Sequence, residues 1–263
     1  GQPLLCLERN PKLNRDGAAL SQPHHLVALH QDADVLSPSS WHCLMPKHSL
    51  GALHACGQLH MEALRQTAAH SCAQVAVAPC CYNRIEGDSY APLSKMAKKA
   101  QLQLSKDDLG LPMQESMTAG QRTRRLRDRS MAWRLAFDLW QRTGNGRDSY
   151  LPTPSRPESA MAGGIAPFCR ELAAWHHLTL PEPASWDELE QRGWLRLAEV
   201  RNLELLRGLF RRPLEIWLLL DRALFMQEAG YRVELGLFCP SALTPRNLML
   251  IAEKNPTQSV TSL

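Results

Sequence analysis

Long apolar runs are missing from this chain. The densest, Ile216 to Leu220, is a few residues long, far short of the ~20 that cross a bilayer, so no membrane association is expected. No Cys-x-x-Cys pair occurs, and the adjacent pairs His24-His25 and His176-His177 have no cysteine or acid at ligand spacing, so no metal is expected. No signal peptide is visible. A glycine-rich strand–turn–helix is also missing before the first acid-tipped apolar run, Leu4-Leu5-Cys6-Leu7-Glu8. Such a turn normally precedes a ribose-binding acid by about twenty residues, so the chain reads as a nucleotide-type domain beginning one βα unit late.

What is there is ordinary globular sequence. The 263 residues, 44% hydrophobic and 21% charged, suffice for one large domain or two small ones. A net charge of +4 permits an anionic partner without requiring one. Eight cysteines in so large a chain do not read as a disulfide framework. Cys56, Cys72, Cys80 and Cys239 sit in or beside apolar runs, where free thiols pack as small hydrophobes. A reduced, cytoplasmic protein is expected.

Four near-continuous apolar runs, Leu4–Leu7, Leu26–His30, Leu50–His54 and Gln74–Ala78, predict strands buried on both faces of a parallel sheet. Helical stretches separate them, clearest over Met61–Ala69, which gives α/β doubly wound patterning. From about Glu86 to Arg212 the texture turns helical. One helix runs from Gln121 to Trp140 and stops at Gly144-Asn145-Gly146; another covers Ser185–Gln191 with Ser185 as N-cap. Pro213 and Gly230 bracket a helix, Leu214–Ala229, that is apolar nearly all round and expected to lie buried between layers. Tyr231–Phe238 and Asn247–Ala252 then read as strands joined by a short link, hence antiparallel neighbours. The expected organisation is residues 1–85 as the first part of a sheet domain, 86–212 as a helical insertion, 213–254 completing that domain, and 255–263 as a tail.

The order of elements resembles the class I S-adenosylmethionine-dependent methyltransferase fold, a seven-stranded sheet whose last two strands form a hairpin. More narrowly, Leu53-His54-Ala55-Cys56-Gly57 with Ala78-Pro79-Cys80-Cys81-Tyr82 resembles a "methyltransferase domain" family of bacterial proteins and eukaryotic methyltransferase-like proteins. Leu220–Phe225, Glu228–Tyr231 and Thr244–Leu248 extend the likeness over nearly the whole chain. The resemblance implies a Rossmann-like sheet, mostly parallel with a C-terminal antiparallel strand pair and lacking its first strand. It also implies S-adenosylmethionine as cofactor and methyl transfer as activity. The family's glycine-rich first motif is missing, so an N-terminally truncated fragment is expected. No Asn/Asp-Pro-Pro-Tyr motif appears, which argues against the common exocyclic-amine methylating subclass.

Each candidate site residue has a structural alternative. Glu8 has the acceptor geometry for both ribose hydroxyls, or is a solvated acid at a strand end. Asp32, with the Ala33 N–H alongside, offers a match to the adenine edge; Asp34 is its rival, and turn formation is the alternative for both. His54, Ala55 and Gly57 form the tip of the third strand, facing a cofactor. Gly57 would allow close backbone approach; His54 orients or deprotonates a substrate, or is a hydrogen-bonded core residue. Cys80 and Cys81 are candidate nucleophiles toward a pyrimidine ring, or one packs in the sheet while the other lines a pocket. Tyr82 and Asn83 would stack on, or hydrogen-bond, a flat substrate. Arg122, Arg124, Arg125 and Arg127, with Trp133 and Trp140 nearby, form a candidate RNA-binding helix, or simply a solvated charged face. Two rival functions remain: a non-catalytic methyltransferase-like RNA-binding or scaffold module, and a nicotinamide-dependent oxidoreductase.

Overall fold

The computed structural model describes residues 3–113, 121–146 and 148–255. They form two compact units: Gly1–Glu115 together with Phe210–Leu263, and Ser116–Leu209. The sequence places the helical insertion at 86–212. The structure starts it later because 86–115 carry Tyr90, Leu93, Leu104 and Leu109 into the core of the first unit. Most of the expected tail, 256–263, lies outside the described residues.

The first unit opens with β1 (Leu4–Glu8), α1 (Pro11–Ser21) and β2 (Ala28–Asp32). Asn10 starts α1: its side chain accepts from Lys12 N at 2.9 Å, and Pro11 takes a first-turn position where no N–H is needed. Then come β3 (Ser49–Cys56), α2 (Gln58–Ala69) and β4 (Gln74–Cys80), followed by the short α3 (Lys95–Lys99). Among the described residues six strands make two sheets: β1 and β2 pair in parallel, and a second sheet has the order β3-β4-β6-β5. Strands β3 and β4 are parallel; β6 (Leu248–Lys254) inserts antiparallel between β4 and β5 (Tyr231–Leu237).

Burial on both faces holds for β4, where Val75 and Val77 are 0% exposed, but not for the first sheet. Leu4, Leu5 and Leu29 remain exposed, because α1 is the element that packs on β1 and β2 and covers one face of the pair. The main core lies between the second sheet, α2 and the last helix.

The second unit is helical: α4 (Gln121–Asn145), α5 (Ile165–Trp175) and α6 (Trp186–Gly208). Ser185 caps α6, its Oγ accepting from Glu188 N, while Asp187 and Glu188 favour the positive helix start. Gly193 lets α6 close on α4, since a Cβ there would stand 2.4 Å from Ala132 O. Trp133, Phe137 and Trp140 meet Phe168, Leu172 and Leu189 in a separate core. The final helix, α7 (Arg211–Glu228), belongs to the first unit. It begins two residues before Pro213 and ends at Glu228, two residues before Gly230, whose φ of +84° closes the turn. It is not buried all round, because only one face meets the sheet. Leu218, Leu219 and Met226 face the core, whereas Ile216 and Leu220 are exposed.

Candidate functional site

The carboxyl ends of the parallel strands gather the residues singled out from the sequence. Glu8 and Asp32 are direct register partners at the ends of β1 and β2. Asn14, buried on α1, ties them together: its Nδ2 donates to Glu8 O at 3.1 Å and to Asp32 Oδ1 at 2.5 Å. Asn10 N donates to Glu8 Oε1 at 2.8 Å, which leaves Oε2 without a hydrogen bond among the described residues. Asn14 Oδ1 is buried and likewise unpartnered there. The Ala33 N–H is committed to Glu8 O at 3.0 Å, so it serves the strand ladder rather than pointing outward. Asp34 folds its own turn, accepting from Leu36 N at 3.0 Å, with Arg9 3.8 Å away.

The tips of β3 and β4 are locked to each other through Gly57. Its N–H donates to Cys80 O at 3.2 Å, and Gln58 N donates to Arg84 O at 2.7 Å. With φ at +52° and a Cβ position 1.9 Å from Arg84 O, no side chain fits. His54 also has positive φ, +54°, and its exposed ring makes no side-chain hydrogen bond among the described residues. It is therefore not the hydrogen-bonded core histidine that an apolar strand suggests. Ala55 instead offers its carbonyl to His60 Nδ1 at 2.7 Å.

Cys56, Cys80 and Cys81 converge here, all eight cysteines of the chain being free. Cys80 is 3% exposed, and burial, then its thiol neighbours, push its thiol well above the usual range. Burial raises Cys56 as well. Both effects favour the neutral thiol over the nucleophilic thiolate. Cys81, half-buried, has a φ of +44°, and its Sγ lies within 4.8 Å of the other two. Tyr82 is only 1% exposed, so it does not present its ring face to a substrate at the surface. The Arg222 guanidinium lies 5.0 Å from the Tyr82 ring, and the His60 edge packs at 5.9 Å.

Behind these tips lies a buried polar network that the sequence reading did not assign. Arg222, 0% exposed, donates from Nε to His60 Nε2 at 2.7 Å and from Nη1 to Tyr90 OH at 3.0 Å. Tyr90 OH donates to Asp221 Oδ2 at 2.5 Å, and Asp221 also accepts from Leu93 N and Ser94 N. The available signal was an adjacent Asp221-Arg222 pair set between Leu218-Leu219-Leu220 and Ala223-Leu224-Phe225. A charged pair within such a run needs internal partners.

In the second unit, Arg122, Arg124, Arg125 and Arg127 are all exposed on α4. Helical spacing divides them. Arg122 and Arg125, with Gln121, Leu126, Arg129 and Trp194, line an open depression of about 580 Å³; Arg124 and Arg127 do not. Arg122 also meets Glu158 at 3.2 Å. Trp133 and Trp140 cannot stack on bases, because both are core residues whose indole N–H groups are spent on Glu190 and on Pro181 O. The ring at the depression is Trp194, 40% exposed.

Among the described residues, no helix is long and apolar enough to cross a membrane. No curated protein and no solved structure matches the chain. Residues 2–88 match a family model described as a methyltransferase domain. That segment runs from β1 through β4 and carries the Glu8, Asp32, His54–Gly57 and Cys80–Tyr82 tips, on a mixed α/β fold of Rossmann-like kind. The likeness to a methyltransferase domain is thus confined to residues 2–88.

Proposed function

We propose that the chain transfers a methyl group from S-adenosylmethionine, and that the β1–β2 tips hold the nucleoside end of that cofactor. The observation that carries this reading is the side-by-side placement of Glu8 and Asp32 at two parallel strand ends, where open α/β sheets bind ligands. The residues fit the group. Glu8 Oε2 is free of hydrogen bonds among the described residues and suits a ribose diol, while Asn14 fixes Asp32 beside it. In this reading Ala33 sets backbone position, and Ala55 and Gly57 let the chain approach closely. When bound, the cofactor supplies an electrophilic sulfonium methyl group. The chain's share of the work is alignment and exclusion of water. In this reading His54, exposed at the tip of β3, takes a proton from the acceptor. Cys81 and Tyr82 shape the tip of β4.

The acceptor we infer is RNA, held by Arg122, Arg125 and Trp194, which pair positive charge with an accessible ring. A glycine-rich segment outside these residues completes the cofactor site in this reading. What supports it is that β1 and β3 each keep one edge unpaired among the described residues. Calorimetric titration with S-adenosylmethionine tests the proposal on this chain and on one extended upstream. Binding by either form, weakened at least about tenfold by Glu8→Ala, supports it. Binding by neither overturns it in favour of a non-catalytic RNA-binding or scaffold module.

A further inference from the structure

Among the described residues, one group of side chains has the spacing of a soft-metal ligand set. The Sγ atoms of Cys56, Cys80 and Cys81 all lie within 4.8 Å of one another, with Cys56 and Cys80 3.4 Å apart. Thiolates bound to tetrahedral zinc at ~2.3 Å stand about 3.8 Å from each other, a value inside that range. We propose that Cys56, Cys80 and Cys81 form a three-thiolate site for a thiophilic divalent cation, with zinc as the occupant.

The backbone holds the three sulfurs before any ion arrives. Cys56 and Cys80 are register partners across β3 and β4, at the point where a bulge shifts the ladder. The Gly57 N–H to Cys80 O bond clamps the two tips, and the positive φ of Cys81 swings the third thiol back toward the pair. Cys80 is buried while Cys56 and Cys81 are half-buried, so an ion has an entry side and a fourth coordination position open to water or an incoming ligand. Binding exchanges three S–H protons for three metal–sulfur bonds, giving a site of net charge −1.

The spacing also explains why no local motif marks it. One ligand lies at position 56 and the other two at 80 and 81, so the set exists only when two parallel strands lie side by side. The inference stands apart from the methyl-transfer reading and is tested without S-adenosylmethionine.

The test is titration of the whole chain, reduced and stripped with chelator, with cobalt(II). The expected result is one tightly bound ion with thiolate-to-cobalt charge transfer in the near ultraviolet and tetrahedral d–d bands, displaced by one equivalent of zinc. Cys56→Ser and Cys81→Ser each weaken binding at least about tenfold, while Cys43→Ser and Cys239→Ser leave it unchanged. Cys81 lies outside the β3–β4 ladder, so its variant keeps the test open if Cys56→Ser misfolds. No charge-transfer band, or a band undiminished in Cys81→Ser, overturns the proposal. So does a Cys56–Cys80 disulfide found by mass spectrometry in protein that, once reduced, binds no cobalt.

Discussion

Arg222 Nε donates to His60 Nε2 across 2.7 Å of protein interior, and both side chains are fully buried. The bond requires His60 to carry its proton on Nδ1, where it donates to Ala55 O at 2.7 Å. One imidazole thus joins the β3 tip to α7. Burial first, and the Arg222 charge second, hold its pKa well below the ordinary 6.5.

That depression makes stability acid-sensitive. Unfolded chains protonate His60 below about pH 6.5 while the native state does not, so the unfolded state binds more protons. Stability is therefore full above pH 6.5 and falls as pH drops toward the native pKa, by up to about 1.4 kcal/mol per pH unit from this group. Glutamine can accept from Arg222 and donate to Ala55 O. Urea denaturation of His60→Gln between pH 7 and 5 is expected to show a shallower loss than the parent chain. Parallel curves would refute the assignment.

At Gly57 the expected effect is steric. Gly57→Ala must relieve both a φ of +52° and a Cβ 1.9 Å from Arg84 O. A loss of at least about 2 kcal/mol is expected in chemical denaturation. Gly208→Ala, a helical position with nothing within 4 Å of its new Cβ, should lose nothing and gain up to about 1 kcal/mol.

For RNA the two sides of α4 should behave differently. Arg122→Ala with Arg125→Ala removes charges that line the depression, and should lower the salt dependence of single-stranded oligoribonucleotide binding by about 1.4 in log–log slope. Trp194→Ala should cost about 1–3 kcal/mol if a base stacks there. Arg124→Ala with Arg127→Ala serves as the comparison. Fluorescence anisotropy over a salt series reads all three. Equal losses from both arginine pairs would assign the binding to general charge rather than to this depression.

The strands and their direction were legible because apolar runs, acid tips and turn residues are local signals. All six appear where the sequence places them, and β5 and β6 pair antiparallel as a short link requires. Burial was less legible: the same apolar texture marks β4, sealed on both faces, and β1, whose leucines stay exposed, since the difference lies in what packs against them. Trp133 and Trp140 beside an arginine run look like a stacking platform until helix packing turns both rings inward. The site's non-local parts left the weakest trace. His60, Tyr90 and the adjacent Asp221-Arg222 come from three places along the chain and meet only in the fold.

Between residues 3 and 40, Asn14 is the one buried side chain, and α1 supplies the main packing on the β1–β2 pair among the described residues. Two strands and one helix with so thin an interior open by local unfolding at low free-energy cost, so their amides should exchange with solvent well before those of β4 and β6. Glu8 and Asp32 sit at the tips of this thinly packed segment. A ligand bridging their carboxylates would act as its missing interior, making occupancy and the ordering of the chain's first forty residues a single equilibrium.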